Sequence, residues 1–178
     1  MRELFTLLAG LGVCYRRHCA QFASLVVVAI DGTQIAVADT EANRARFPKP
    51  KGGPNGDAGY PMIRLVALVA TGTRTIIEAV FGTDRLGQLS YATRLAEALR
   101  PGMLLLGDRN FATYSFFCAI VKAGADFLIR GKTGNGAMKQ PVLRCLPDGS
   151  YLALAAGIPV RVIDANITIV TDTGKSAT

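Results

Sequence analysis

At 178 residues the chain is long enough to bury a core, and a single domain is the simplest expectation. With 50% apolar and 19% charged residues, its composition excludes a disordered chain. A net charge of +7 favours a polyanionic partner, nucleic acid before a membrane surface.

Residues 1–24 read as a lead-in, either a loosely amphipathic helix or irregular. The apolar run Phe5 to Tyr15 is too short to cross a bilayer. "MRE" ahead of it carries no net positive charge, and "RRHCAQ" after it is a poor cleavage site, so a cytoplasmic chain is expected rather than a secreted one. Cys14, His18 and Cys19 cluster, but no second ligand pair at zinc-site spacing follows, so the four cysteines read as thiols in a reducing compartment.

"LVVVAIDGTQIAVAD" (Leu25 to Asp39) predicts two apolar strands joined by a hairpin turn at Asp31-Gly32. "DTEANRARF" predicts a short helix capped by Asp39 or Thr40. Pro48 to Pro61 holds four prolines and four glycines and predicts a loop. "MIRLVALVA" and "TIIEAVFG" predict strands joined by a turn at Thr71-Gly72. "QLSYATRLAEAL" predicts a helix with Leu89, Ala92, Leu95, Ala96 and Leu99 on one face. "MLLLGD" reads as a buried strand. In "TYSFFCAIVKAG" a helix runs from an N-cap at Thr113 to a stop at Gly124, with Phe116, Phe117, Ile120 and Val121 inward. "DFLIRG" predicts a fifth core strand. A second hairpin is expected about Asp148-Gly149, and "IPVRVIDANITIVTD" adds further strand-like alternation.

A strand that follows a helical crossover usually lies parallel beside an earlier strand. If Met103 to Leu106 pairs with Val26 to Ile30, then Asp31 and Asp108 leave the sheet at the same edge, outside the carboxyl ends of their strands. Neighbouring strands lie about 4.8 Å apart, close enough for both carboxylates to share one hydrated cation. The alternatives are ordinary ones: Asp31 as a turn residue, Asp108 as a partner of Arg109 or a cap.

With one histidine, His18, neither histidine-driven hydrolysis nor a serine triad is supported. "RGKTGNG" lacks the first glycine of a phosphate-binding loop, since Asp126 stands there, and no helix follows. Carboxylates holding Mg²⁺ or Mn²⁺ for phosphodiester chemistry suit the basic charge and hard oxygen ligands.

"VAIDGTQIAVADTEANRARF", "GYPMIRLVALVATGTRTIIEAVFG" and "LRPGMLLLGDRNFATYSFFCAIVKAGADFLIRGK" resemble the DDE transposases of bacterial insertion sequences, above all the insertion sequence 4 family. The likeness runs from about Val26 to Asn166, and "DGT" and "GDRNF" are its most specific blocks. It implies an α/β, RNase H-like fold with a mixed sheet, flanking helices and a β-rich insertion, and it maps the first two catalytic aspartates onto Asp31 and Asp108. It further implies DNA transposition by metal-dependent hydrolysis at transposon ends and strand transfer to target DNA, with Mg²⁺ or Mn²⁺. DNA would be the partner, a homodimer the state of the intact enzyme, and the nucleoid its place. The domains expected are a lead-in at 1–24, a catalytic core at 25–132 and a β-rich insertion at 133–178.

Two departures qualify the likeness. The family's third acid is a glutamate on a helix with Y-x2-R-x3-E-x6-K spacing, and the chain reaches Thr178 without one. Tyr91, Arg94 and Glu97 only approximate it and precede Asp108. The helical wheel turns Glu97 to solvent, Glu78 alternates with apolar neighbours, and Asp164 and Asp172 have no positional claim. An end-recognising N-terminal domain is also missing. The expectation is a truncated and inactive catalytic fragment whose open sheet exposes an apolar patch. A remnant with nonspecific DNA binding is the alternative, and a doubly wound acidic-pocket binding domain a third. Arg44, Arg46, Lys49, Lys51, Arg109, Arg130 and Lys132 are the candidate phosphate contacts. Asn110 stands where the family more often has glycine.

Overall fold

A computed structural model of the chain describes residues 20–50, 59–134, 137–155, 157–165, 169–170 and 176–177. Cys14, His18, Cys19, Lys51 and Asp172 lie outside them. The chain divides into two units, Met1–Ala137 and Met138–Thr178.

The first unit is built on one mixed sheet of strands β1 (Gln21–Phe22), β2 (Leu25–Ala36), β3 (Met62–Ala70), β4 (Thr75–Thr83), β5 (Met103–Gly107) and β6 (Asp126–Ile129). Its order is β4-β3-β2-β5-β6, with β1 pairing on β2. β3 pairs antiparallel with both β2 and β4, whereas β5 lies parallel to β2 and β6 parallel to β5. This is the RNase H-like mixed α/β architecture, and the antiparallel half excludes an all-parallel doubly wound sheet.

The hairpin expected at Asp31-Gly32 does not form. β2 runs straight through both residues, with Asp31 opposite Ala67 and Gly32 opposite Val66. Asp-Gly here marks a close approach rather than a turn: a Cβ on Gly32 would fall 2.4 Å from Gln88 Nε2. The chain reverses only after α1 (Glu41–Arg46), which Thr40 caps by accepting the Asn43 N–H at 3.2 Å. Between β3 and β4, Arg74 and not Gly72 takes the left-handed conformation, at φ 58°.

Alternation along β2 sends Val26, Val28 and Ile30 to one face, with Val66 and Leu68 of β3 and Met103 and Leu105 of β5 beside them. Against that face pack α2 (Gln88–Leu95) through Tyr91, Ala92 and Leu95, and α3 (Tyr114–Lys122) through Phe116 and Ile120. Each fully buried aliphatic or aromatic side chain contributes roughly 1.5–3 kcal/mol. The apolar face read from "QLSYATRLAEAL" is the one that packs, although the last turn tightens to a 3₁₀ helix at Ala96–Ala98. Glu97 is exposed, as its wheel position required. Val121, expected inward, is 46% exposed. Thr113 precedes α3 but makes no side-chain cap, and its hydroxyl is buried without a partner. "DFLIRG" forms an edge strand rather than a central one, with Phe127 and Ile129 toward the helices.

The opposite face carries Ala29, Asp31, Leu65, Ala67, Val69 and Leu106, in register across the strands. Ile35, Ile76, Phe81 and Leu128 also belong to it, and all four are exposed by 41–65%.

In the second unit β7 (Val142–Cys145), β8 (Tyr151–Ala155) and β9 (Ile158–Val162) form an antiparallel sheet. Its first turn is the one expected at Asp148-Gly149, with Gly149 at φ 83°. Asp148 accepts from the Ser150 hydroxyl at 2.6 Å, and Arg161 closes the corner on both. β10 (Ile169–Val170) and β11 (Ser176–Ala177) pair separately.

Candidate metal and nucleic-acid site

The parallel pairing of β2 with β5 fixes the two aspartates. Val26 pairs with Met103 and Ala29 with Leu106, and the offset of 77, continued two residues beyond this ladder, sets Asp31 level with Asp108; Asp108 follows the end of β5, whereas Asp31 lies within β2 and not, as expected, beyond its carboxyl end. Both fall on the less covered face, since the buried residues Ile30 and Leu105 hold the other parity. Asp108 keeps extended backbone at φ −78°, ψ 176°, so the strand direction persists through it. Gly107, just before it, sits in a tight place: a Cβ there would lie 3.3 Å from Ile129 Cγ1 and 3.5 Å from Ile30 Cγ2.

Local contacts hold each carboxylate. Asp31 Oδ1 accepts the Gly32 N–H at 2.7 Å. Asp108 caps the 3₁₀ turn Arg109–Phe111, accepting the Asn110 N–H at 2.9 Å and the Asn110 side-chain amide at 3.0 Å. The capping role foreseen for Asp108 is therefore real, and it leaves further lone pairs on both carboxylates. Phe111 is fully buried and anchors the turn. Neither aspartate is ion-paired among the described residues.

No third His, Cys, Asp or Glu joins them among the described residues. Glu78 stands opposite Leu68, in the row of Ile30 and hence on the other face. Asp164 belongs to the second unit.

The cations divide. Asp39 engages Arg44 at 2.9 Å and Lys49 at 2.6 Å, which holds its carboxyl below the usual range, Lys49 contributing most. Arg46 lies over the Phe47 ring, 5.6 Å from its centroid. Arg109, Arg130 and Lys132 instead line one cavity with Asn110, Gly131 and Thr133. Sequence reasoning placed these three near strand ends, at the edge of the aspartates, and the structure adds that they line one cavity. The signal was present: the β5–β6 pairing sets Leu104 opposite Asp126, and the same offset sets Asp108 opposite Arg130.

Among the described residues no helix is long and apolar enough to cross a membrane. The family model for the transposase DDE domain matches residues 23–173. The chain is also similar to a transposase for insertion sequence element IS4 from Escherichia coli (strain K12), being 28% identical over 124 residues. That match covers 70% of this chain and 28% of the relative, so the matched segment spans little more than a quarter of the relative's length. No solved structure matches. With its mixed sheet and a family match over most of its length, the chain belongs to the DDE transposase family, of the insertion sequence 4 type.

Proposed function

We propose that the chain contributes two of the three carboxylates of a DNA-cleaving and strand-transferring centre, with Asp31 and Asp108 as divalent-metal ligands. The observation that supports this reading is the parallel β2–β5 ladder, whose offset, continued two residues, brings Asp31 level with Asp108. Carboxylate oxygens are the donors Mg²⁺ and Mn²⁺ prefer, and two of them on adjacent strands suit one ion. When bound, the metal would supply Lewis-acid activation of a phosphodiester and of its attacking oxygen. The protein's part is to keep both carboxylates level. The β2–β5 ladder sets the spacing of the strands that carry them.

The DNA partner is proposed from the family and the basic charge. The domains proposed are a core at 25–132 and a β-rich insertion at 133–178. Alone, with two carboxylates, the chain is expected to bind metal weakly and to cleave little or no DNA. Calorimetric titration with Mn²⁺ tests the reading. One weak site in the wild type, lost in both Asp31→Asn and Asp108→Asn, is expected. Equal Mn²⁺ binding in all three proteins would remove the two aspartates from the role.

A further inference from the structure

Burial on the second face of the sheet is uneven. Ile35, Ile76, Phe81 and Leu128 are exposed there, yet Leu104, on the same face, is only 8% exposed. Leu104 pairs with Val27 and stands outside the buried cluster that the helices cover. α2 and α3 lie on the other side of the sheet, and α1 buries none of its residues. Val27, Ala29 and Leu106, beside Leu104 on this face, are half-buried. A leucine buried on a face without a helix calls for a cover of its own.

The chain has an apolar segment tied to that corner. The Ala20 carbonyl accepts the Val27 N–H at 2.9 Å, so the backbone joins the sheet beside Leu104 and its neighbours. Ahead of Ala20, and within the first unit, stand residues 1–19, which lie outside the described residues. In their sequence Leu4, Leu7, Leu8, Leu11 and Tyr15 recur at helical spacing as one apolar stripe, with Thr6 and Ala9 opposite. As a helix, Phe5 to Tyr15 would be about 16 Å long, and Arg16 to Cys19 can bridge up to ~13 Å. The stretch of β2 from Leu25 to Ala29 is about 13 Å long, so the lengths agree.

We propose that residues 4–15 dock as an amphipathic helix on the second face of the sheet, over Val27, Ala29, Leu104 and Leu106. The lead-in is then part of the packing of the core, a role that does not rest on the metal reading. Its tether at Ala20 holds it at a local concentration in the millimolar range, which favours it over a second copy of the chain. The docked stripe and the sheet bury each other's apolar surface. The covered rows end at Ala29 and Leu106, one step before Asp31 on the same face. The segment thereby walls the aspartate row on one side and leaves it open toward Thr33 and Leu65, which pair beyond it.

Methyl NMR of the full chain tests the docking. Nuclear Overhauser contacts from Leu7, Leu8 or Leu11 to Leu104 and Leu106 are expected, with none to Leu105 on the helix side. They should persist on dilution and be missing from an isotope-filtered spectrum of mixed labelled and unlabelled chains, since the docking is within one chain. In Leu8→Asp/Leu11→Asp these contacts should be lost and the Leu104 and Leu106 methyls should shift, while Leu105 keeps its position and so reports an intact core. Contacts seen between labelled and unlabelled chains would assign the cover to a second copy and overturn the proposal. Contacts to Leu105 instead, or a lead-in without contacts to Leu104 and Leu106, would overturn it as well. Should the double variant fail to fold, the wild-type contacts alone decide the matter.

Discussion

Asn110 grips Asp108 twice, its backbone N–H on Oδ1 and its side-chain amide on Oδ2. The second bond occupies an oxygen that a metal would use. Replacing Asn110 by glycine keeps the first bond and removes the second. Tighter Mn²⁺ binding by calorimetry is expected for Asn110→Gly, with about 1 kcal/mol of stability lost from the added backbone freedom and the missing bond. Weaker Mn²⁺ binding would instead make Asn110 a residue that positions Asp108.

Tyr91 is buried and donates its hydroxyl to the Thr83 carbonyl at 2.7 Å, passing over Gly82. A Cβ on Gly82 would lie 2.5 Å from the Tyr91 hydroxyl oxygen. Tyr91→Phe should cost about 1 kcal/mol in urea denaturation, and Gly82→Ala about 1–3 kcal/mol. In the double variant the clash is relieved, so the two costs should not add. Simple additivity would mean that the hydroxyl does not occupy this place in solution.

The two faces of the sheet predict unequal responses to truncation. Leu105 is fully buried under the helices, and Leu105→Ala should cost about 2–5 kcal/mol. Leu128, 59% exposed on the other face, should cost well under half as much when truncated. Equal losses in urea melts would show that something covers the second face in solution.

Asp39 ionises at a lower pH in the folded chain than in the unfolded one, through hydrogen bonds from Lys49 and then Arg44. Such a group stabilises the fold above its unfolded pKa of about 3.9, and the benefit is lost as pH falls through the lower, folded value. Thermal stability should thus be insensitive to Asp39 from pH 5 to 8 and decline below about pH 4. Asp39→Asn should flatten that acid limb. Asp148, held low first by the Ser150 hydroxyl, follows the same sign. An acid limb unaltered in Asp39→Asn would show that its ion pairs do not persist.

Much of the fold was legible because two periods dominate the sequence. Val26, Val28 and Ile30 alternate, and Ala92, Leu95, Ala96 and Leu99 repeat at helical spacing; all seven are buried. The parallel pairing of β2 with β5 was legible too, since it needs only a helical crossover, whereas Asp31 lies within β2 and not beyond its end. The turn at Asp31-Gly32 was misread because Asp-Gly carries local turn chemistry, while the long β2–β3 ladder holds both residues as strand. Only tertiary structure reveals that Gln88 takes the space of a Gly32 side chain. The commitment of Arg44 and Lys49 to Asp39 was hidden for a similar reason, as contacts across a reversal leave no periodic trace.

The ladder between β2 and β5 also sets an order of events. Local antiparallel pairing can assemble β2, β3 and β4 before the chain has reached Met103, and such contacts carry the smaller closure entropy. Through that interval Asp31 is presented by a formed sheet with no companion. Asp108 arrives only when the helix α2 has folded back and the long loop has closed. A nascent or partly unfolded chain can therefore keep its antiparallel half and hold no paired carboxylates at all, so the proposed metal site would be gained last and lost first.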